Sequence, residues 1–434
     1  MKDLPHNHHQ EHSDSFDVAV IGGGASGLAA AIAASRSDAR VCILERDVAV
    51  GLSILATGNG RCNISNANLD PEHYLHPRTA RTVMGNCAER DVTAFFENLG
   101  LLMAQECEGR LYPRTRRAES VRDVLLDACS RQRVSLRCGT EVTAARYDRG
   151  AGVWVLTISE PAAPLRPKAG HDSKAKLRNA RKALSMAPRR ARELYARRVI
   201  IACGGTSEDI AQLFNLPHLP ETPLLSPIAC TPITLARDVL KSLDGLRVEA
   251  VCTLMRDGRL LTSQHGELLF RPYGISGIAA FNLSRHTRAG DALEIDLFPE
   301  LSNKELTDLL ERRRSLLGPL TPENPSWFDG LLAPALARAV CSAGVTSDAS
   351  ALATALKHLT FAVTGLSELK QAQVRRGGIP FDTIDLPSLA VRRDIAPSLF
   401  ACGEALDMDA DCGGYNLAWA WLSGIRAGKE ASRA

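Results

Sequence analysis

The chain has 434 residues, 45% of them hydrophobic and 23% charged, the make-up of a globular protein with room for two or three domains and a sizeable core. Its 52 basic and 49 acidic residues nearly balance, which argues against a dedicated nucleic-acid binder, and no run of about 18 apolar residues offers a membrane span. The 12 cysteines are scattered with no Cys-x-x-Cys pair, which excludes a dithiol redox centre and a cysteine zinc site, so no metal is expected.

Residues 1–14 are polar and carry His6, His8, His9 and His12, which reads as a disordered tail rather than a secretory signal. With free thiols, this places the protein in a reducing cytoplasm. From Phe16 the chain runs FDVAVIGGGASGLAAAIAASRSDARVCILER. The apolar run Asp17 to Ile21 predicts a buried parallel strand, an Ala-rich helix follows, and a second strand from Arg40 to Leu44 ends in Glu45. Gly22-x-Gly24-x-x-Gly27 therefore stands between strand and helix with an acid about 20 residues on, the context of a dinucleotide-binding turn. Gly22 permits the turn, Gly24 admits a pyrophosphate, Gly27 lets helix pack on strand, and Ala25 and Ser26 open the helix whose N–H groups meet the phosphates. Glu45 would bind a ribose hydroxyl, with Arg46 next to it.

The stretch GLSILATGNGRCN (51–63) is a glycine-rich loop without structural period, a source of backbone N–H groups for an extended cofactor through Gly58, Asn59, Gly60, Arg61 and Cys62. Residues 161–198 hold 12 Lys/Arg against two acids and read as a solvated basic insertion, or as a patch for an acidic partner. RRVIIACGG ends a strand at Gly204-Gly205, and SLFACGEALD ends another at Gly403-Glu404. Between them, 221–299 is strand-rich with Asp-Gly turns and 300–360 has helical periodicity. The cofactor domain is thus expected to be discontinuous, 15–220 and 361–434. The N-terminal motif, the absence of a second G-x-G-x-x-G, the 51–63 loop and the two later strand ends favour FAD over NAD. GEALDMDADCGGYNLAWAW (403–421) resembles a calcium loop starting at Asp407, but Cys412 and Ala418 stand where the glycine and the closing glutamate belong.

The segments VIGGGASGLAAA, LATGNGRCN, GRLYP, IIACGG, GISG and GEALDMDADCGGYNLAWAW are similar to those of the BaiN/YhiN-type family of bacterial FAD-dependent oxidoreductases, from Val20 to Gly428. The resemblance implies an α/β fold: a Rossmann-like FAD-binding domain of the two-dinucleotide-binding-domain type, with an inserted β-barrel-like plus helical domain. It implies that Glu404 reaches the ribityl or pyrophosphate region. Gly413 and Gly414 would open a helix whose first residues, Tyr415, Asn416 and Leu417, point amides at the flavin N1/C2 carbonyl. Asp407, Asp409 and Asp411 would shape that loop through side-chain-to-backbone bonds.

Two departures bear on catalysis. Leu52-Ser53 replaces a common Arg-Lys, and Arg271-Pro272-Tyr273 stands before Gly274-Ile275-Ser276-Gly277 where relatives often have Thr-His. Tyr273, Tyr112 and Arg61 are then the candidate catalytic groups, Cys62 a candidate thiol, and Arg271, Arg375 and Arg376 a basic pocket for an anionic substrate. The expected activity is an NAD(P)H-fed reduction of an activated C=C or C=O in a small molecule. Action on RNA through 161–198 and a non-catalytic flavin redox sensor are the alternatives. Neither the substrate nor the oligomeric state is legible.

Overall fold

A computed structural model describes residues 14–35, 38–163, 174–321, 323–343, 348–372 and 374–433. The histidines of the expected tail and residues 164–173 of the basic stretch lie outside the described residues. The chain divides into two units, 1–222 with 374–434, and 223–373.

The first unit is built on a nine-stranded sheet. β1 (Ser15–Ile21) is buried along its apolar run, and it pairs in parallel with β2 (Val41–Glu45) and with the strand Arg189–Ile201. Ser135–Cys138 continues the parallel set beyond β2, and Leu399–Ala401 continues it beyond Arg189–Ile201. The register sets Ile21 opposite Leu44 and Ile201, and Ile201 opposite Ala401. Gly22, Glu45, Ala202 and Cys402 therefore leave the sheet at one edge, the carboxyl end of its parallel strands, where open α/β sheets bind ligands.

An antiparallel hairpin, Glu141–Asp148 and Val153–Pro161, pairs with the near half of Arg189–Ile201. Residues 189–198 of the basic stretch thus lie in a strand, with Leu194 and Ala196 buried and Arg189, Arg190 and Arg197 exposed. The rest of the described basic stretch is mostly a helix, Lys174–Met186.

The helix α1 (Ala25–Ser35) is buried along its length beneath the C-terminal helix, Tyr415–Arg433. They cross at small residues: a Cβ on Gly424 would stand 2.4 Å from the Ser26 carbonyl oxygen, and one on Gly428 2.2 Å from that of Ala30. Trp419 and Trp421 are core residues, their indole N–H groups donating to the carbonyls of Gly403 and Ile64 at 3.0 Å each.

The second unit is a closed six-stranded barrel of Ile228–Pro232, Arg247–Arg256, Arg259–Arg271, Gly274–Ser276, Ala292–Asp296 and Leu359–Leu366. Its inward residues, among them Leu254, Phe270, Ile295 and Phe361, form a core shared with the helices Asn303–Leu317, Pro334–Ser342 and Ala349–Lys357. Ser302 and Glu305 form a capping box at the first of these helices. A Rossmann-like sheet with an inserted barrel and helices is the fold class the sequence predicts. Among the described residues no helix is long and apolar enough to cross a membrane.

Candidate functional site

At the first strand–helix turn Gly22 has φ +107°, and a Cβ there would lie 2.5 Å from the Ala202 carbonyl oxygen, so no other residue fits. A Cβ on Gly27 would strike the Gly22 carbonyl oxygen at 1.9 Å, which is the close helix–strand approach the motif demands. Gly24 is different, with only the Ser53 hydroxyl within reach at 3.2 Å, and its open side leaves room for a ligand. The Leu28 N–H bonds the Gly24 carbonyl at 3.0 Å, so the helix itself leaves the amides of Ala25, Ser26 and Gly27 unspent at the sheet edge. The Glu45 carboxylate accepts the Gly23 and Asp47 N–H groups, each at 2.7 Å. That pins it in place with lone pairs left over for a hydroxyl. Arg46 donates to the Thr206 hydroxyl at 3.2 Å, beside the Gly204-Gly205 turn.

Glu404 follows the strand Leu399–Ala401 onto the same edge. A Cβ on its neighbour Gly403 would meet the Ser26 hydroxyl at 2.4 Å, and the Gly403 N–H donates to Ser423 Oγ at 2.9 Å, which ties this turn to both helices. Burial pushes the Glu404 carboxyl up to about 7, Asp409 and Glu221 push the same way, and Arg375 and the Gly205 N–H oppose them. Glu221 is occupied by the Ser207 hydroxyl at 2.8 Å and by His218 at 3.2 Å.

The 51–63 loop lies across the turn from these groups, its Gly51 N–H bonded to the Gly23 carbonyl at 2.7 Å. Gly58, Asn59 and Cys62 take left-handed backbone angles, φ 54°, 55° and 57°. Arg61 lies over the Tyr112 ring at 4.4 Å, with Nη2 3.3 Å from the phenol oxygen and Nη1 3.4 Å from Glu106. Sequence names these two candidate catalytic residues separately, and the structure brings them together. Cys62, by contrast, is buried, and that burial pushes its thiol up to about 12, which rules against the reactive thiolate considered from its neighbour Arg61.

The C-terminal helix begins where expected. A Cβ on Gly414, whose φ is +103°, would stand 2.3 Å from the Ser65 carbonyl oxygen, and Asn66 Nδ2 donates to the Gly413 carbonyl at 3.0 Å. The first helical bond runs from Ala418 N–H to the Gly414 carbonyl at 2.9 Å, so helix formation leaves the amides of Tyr415, Asn416 and Leu417 unspent. The Asn416 side chain brackets the N–H and the carbonyl of Ala410, both at 2.9 Å. Next to Gly414, Asn63 Oδ1 is buried without a hydrogen-bond partner among the described residues.

The three aspartates also meet residues remote in sequence. Asp407 accepts Gly377 N–H at 3.0 Å while its other oxygen is 3.2 Å from His76 Nε2. Asp409 pairs bidentately with Arg376 at 2.7 and 3.1 Å, and Asp411 is 2.9 Å from His73 Nδ1. The long partners arrive from segments remote in sequence, so spacing does not announce them. Of the arginines considered for an anionic substrate, Arg376 pairs with Asp409, and Arg271 lies 3.4 Å from Asp244. Tyr273 belongs to the second unit, where burial raises its phenol and Arg271 opposes the rise.

Residues 16–213 match the family model described as HI0933-like protein Rossmann domain, and 229–319 match HI0933-like protein barrel and H2TH domain. A 3-dehydro-bile acid delta(4,6)-reductase of Clostridium scindens is 30% identical over 444 residues, covering 96% of this chain and 98% of that protein. The chain belongs to the HI0933-like family. It is an FAD-dependent oxidoreductase, of the family its motifs resemble. Two further relatives are named ribosomal RNA dihydrouridine synthase. The one of Escherichia coli is 26% identical, with 94% of this chain and 96% of that protein covered. The one of Haemophilus influenzae is 22% identical, with 95% and 98% covered. The residues fit FAD: two helix starts with unspent amides, a pinned carboxylate for a ribose, and a buried acceptor with no partner among the described residues. Glu221 and Asn63 were not named as candidates from sequence, and Arg375 was named for an anionic substrate, because contacts between segments remote in sequence decide what these residues meet.

Proposed function

We propose that the protein is an NAD(P)H-fed reductase that saturates an activated C=C, or reduces a C=O, in a small organic molecule. Bound FAD supplies the hydride chemistry. The observation that carries the reading is the C-terminal helix, whose unspent amides at Tyr415, Asn416 and Leu417 favour negative charge at its start. The amides of Ala25 to Gly27 hold the pyrophosphate, and Glu45 accepts a ribose hydroxyl. Tyr112 and Tyr273 are the candidate proton-carrying phenols, with Arg61 orienting Tyr112. The names of the relatives, a delta(4,6)-reductase and dihydrouridine synthases, are both names of reductions of a carbon–carbon double bond, which supports C=C as the acceptor.

Action on RNA is the second reading, favoured by the two synthase names and by the basic stretch. Part of that stretch is spent internally: Arg181 binds Asp47, Arg190 and Arg192 bind Glu160, Arg192 also binds Asp14, and Arg197 approaches Asp17. Its pairing leaves less charge for phosphates, so the small-molecule reading stands first.

The test is anaerobic addition of NADH or NADPH to the yellow protein, then of a conjugated 3-oxosteroid or of ribosomal RNA. Bleaching by a nicotinamide and recovery of colour with the steroid support the proposal. Recovery only with RNA, suppressed by salt, selects the second reading. No bleaching with either nucleotide, with no electron transfer from the dithionite-reduced protein to either acceptor, overturns both.

A further inference from the structure

Asn63 Oδ1 is buried, and no donor among the described residues reaches it. Leaving a buried acceptor of this kind unpaired is unfavourable, and native structures hold few of them without a reason. Its surroundings are specific. It faces Gly414, 3.0 Å from where a Cβ would stand, at the start of the 19-residue C-terminal helix. The helix leaves three amide donors unspent beside it, on Tyr415, Asn416 and Leu417. The backbone around Asn63 is set for this position: Asn63 N lies 2.9 Å from the Cβ that Gly58 lacks, and the Ile64 N–H is bound to the Leu111 carbonyl at 2.8 Å. An acceptor set beside several donors calls for a ligand edge with an N–H next to a carbonyl.

We infer that Asn63 binds the imide edge of the flavin ring, its Oδ1 accepting the N3–H while the helix amides meet the adjoining C2 carbonyl. Among the parts of FAD, the isoalloxazine imide presents such an N–H between two carbonyls, whereas the pyrophosphate presents acceptors only. The ribityl hydroxyls also carry donors, and the experiment separates them from the imide. The inference rests on the FAD binding of the family and is independent of which molecule is reduced, since binding is read without turnover.

The experiment measures dissociation constants of the full-length apoprotein for FAD and for 3-methyl-FAD, which lacks the N3–H, by quenching of flavin fluorescence. The parent protein should bind 3-methyl-FAD about 10- to 100-fold more weakly than FAD. Asn63→Leu keeps most of the volume and removes the acceptor. It should bind FAD about as weakly as the parent binds the methylated flavin, and should distinguish the two flavins several-fold less than the parent does. Asn63→Ser is the second variant should the leucine chain fail to fold, and it too should discriminate less. Equal affinity of the parent for both flavins overturns the inference, as does a variant that keeps the parent's full discrimination. In either case an unchanged affinity for FAD itself would leave the family assignment standing.

Discussion

Between pH 4.5 and about 7 the Glu404 carboxyl holds a proton that it would lose in an unfolded chain, because burial beside Asp409 and Glu221 disfavours its charged form. The folded state therefore binds more protons across this window, and stability falls as pH rises from 4.5 to about 7, then levels off. Glu404→Gln removes the effect. Thermal melts of the apoprotein should show the variant gaining on the parent through that window, by about 1–3 kcal/mol above it. A parent that gains on the variant as pH rises would mean that the carboxylate is the favoured form. At this scale sequence places the glutamate, through the Gly-Glu strand end, but its neighbours Glu221 and Arg375 come from the paired strands Leu219–Leu224 and Val374–Gly378. Cys62 teaches the reverse: an adjacent arginine in sequence counts for nothing when the thiol points into the core.

Among elements, the loop between the Gly-Glu turn and the C-terminal helix is held from outside as much as from within. Asp409 is 1% exposed, and its ion pair with Arg376 compensates for burying the carboxylate. Removing one partner of such a pair typically costs about 3–5 kcal/mol, far more than the pair's net worth. Arg376→Ala should lower the melting temperature and weaken FAD binding, and adding Asp409→Asn should recover part of the stability. A double variant no better than Arg376→Ala in denaturant titration would show that the arginine acts through packing instead. The close crossing of α1 and the C-terminal helix, at Gly424 against Ser26 and Gly428 against Ala30, links the two helices whose starts the proposal assigns to the cofactor. Sequence by itself does not mark those glycines as contact points, since their use depends on what packs against them.

For the whole molecule, the division at 222/223 and 373/374 falls just at the strands Leu219–Leu224 and Val374–Gly378, which pair as a two-stranded sheet. The two ends of the first unit therefore leave from neighbouring strands, and a short linker can join them. A chain with 223–373 replaced by a glycine–serine linker should still bind FAD and be bleached by dithionite, yet lose turnover with an organic acceptor. Loss of FAD binding in a variant that remains folded by circular dichroism would assign part of the cofactor site to the second unit.

Local signals were enough for the dinucleotide turn and the Gly-Glu strand end, and the family resemblance supplied the start of the last helix. The first two depend on residues within about 20 positions, where backbone geometry and periodicity leave a mark in the order of residues. The change from a strand-rich to a helical pattern was likewise visible, but not the last barrel strand, Leu359–Leu366, which follows the helices. What only the folded chain decided is which side chains meet. The pairs Asp409–Arg376, Asp411–His73 and Asp407–His76 join segments 33, 338 and 331 residues apart. The unpaired oxygen of Asn63 is a property of everything packed around it. Hydrogen bonding and desolvation act over a few ångströms of space, and at such separations the order of residues carries no record of that distance.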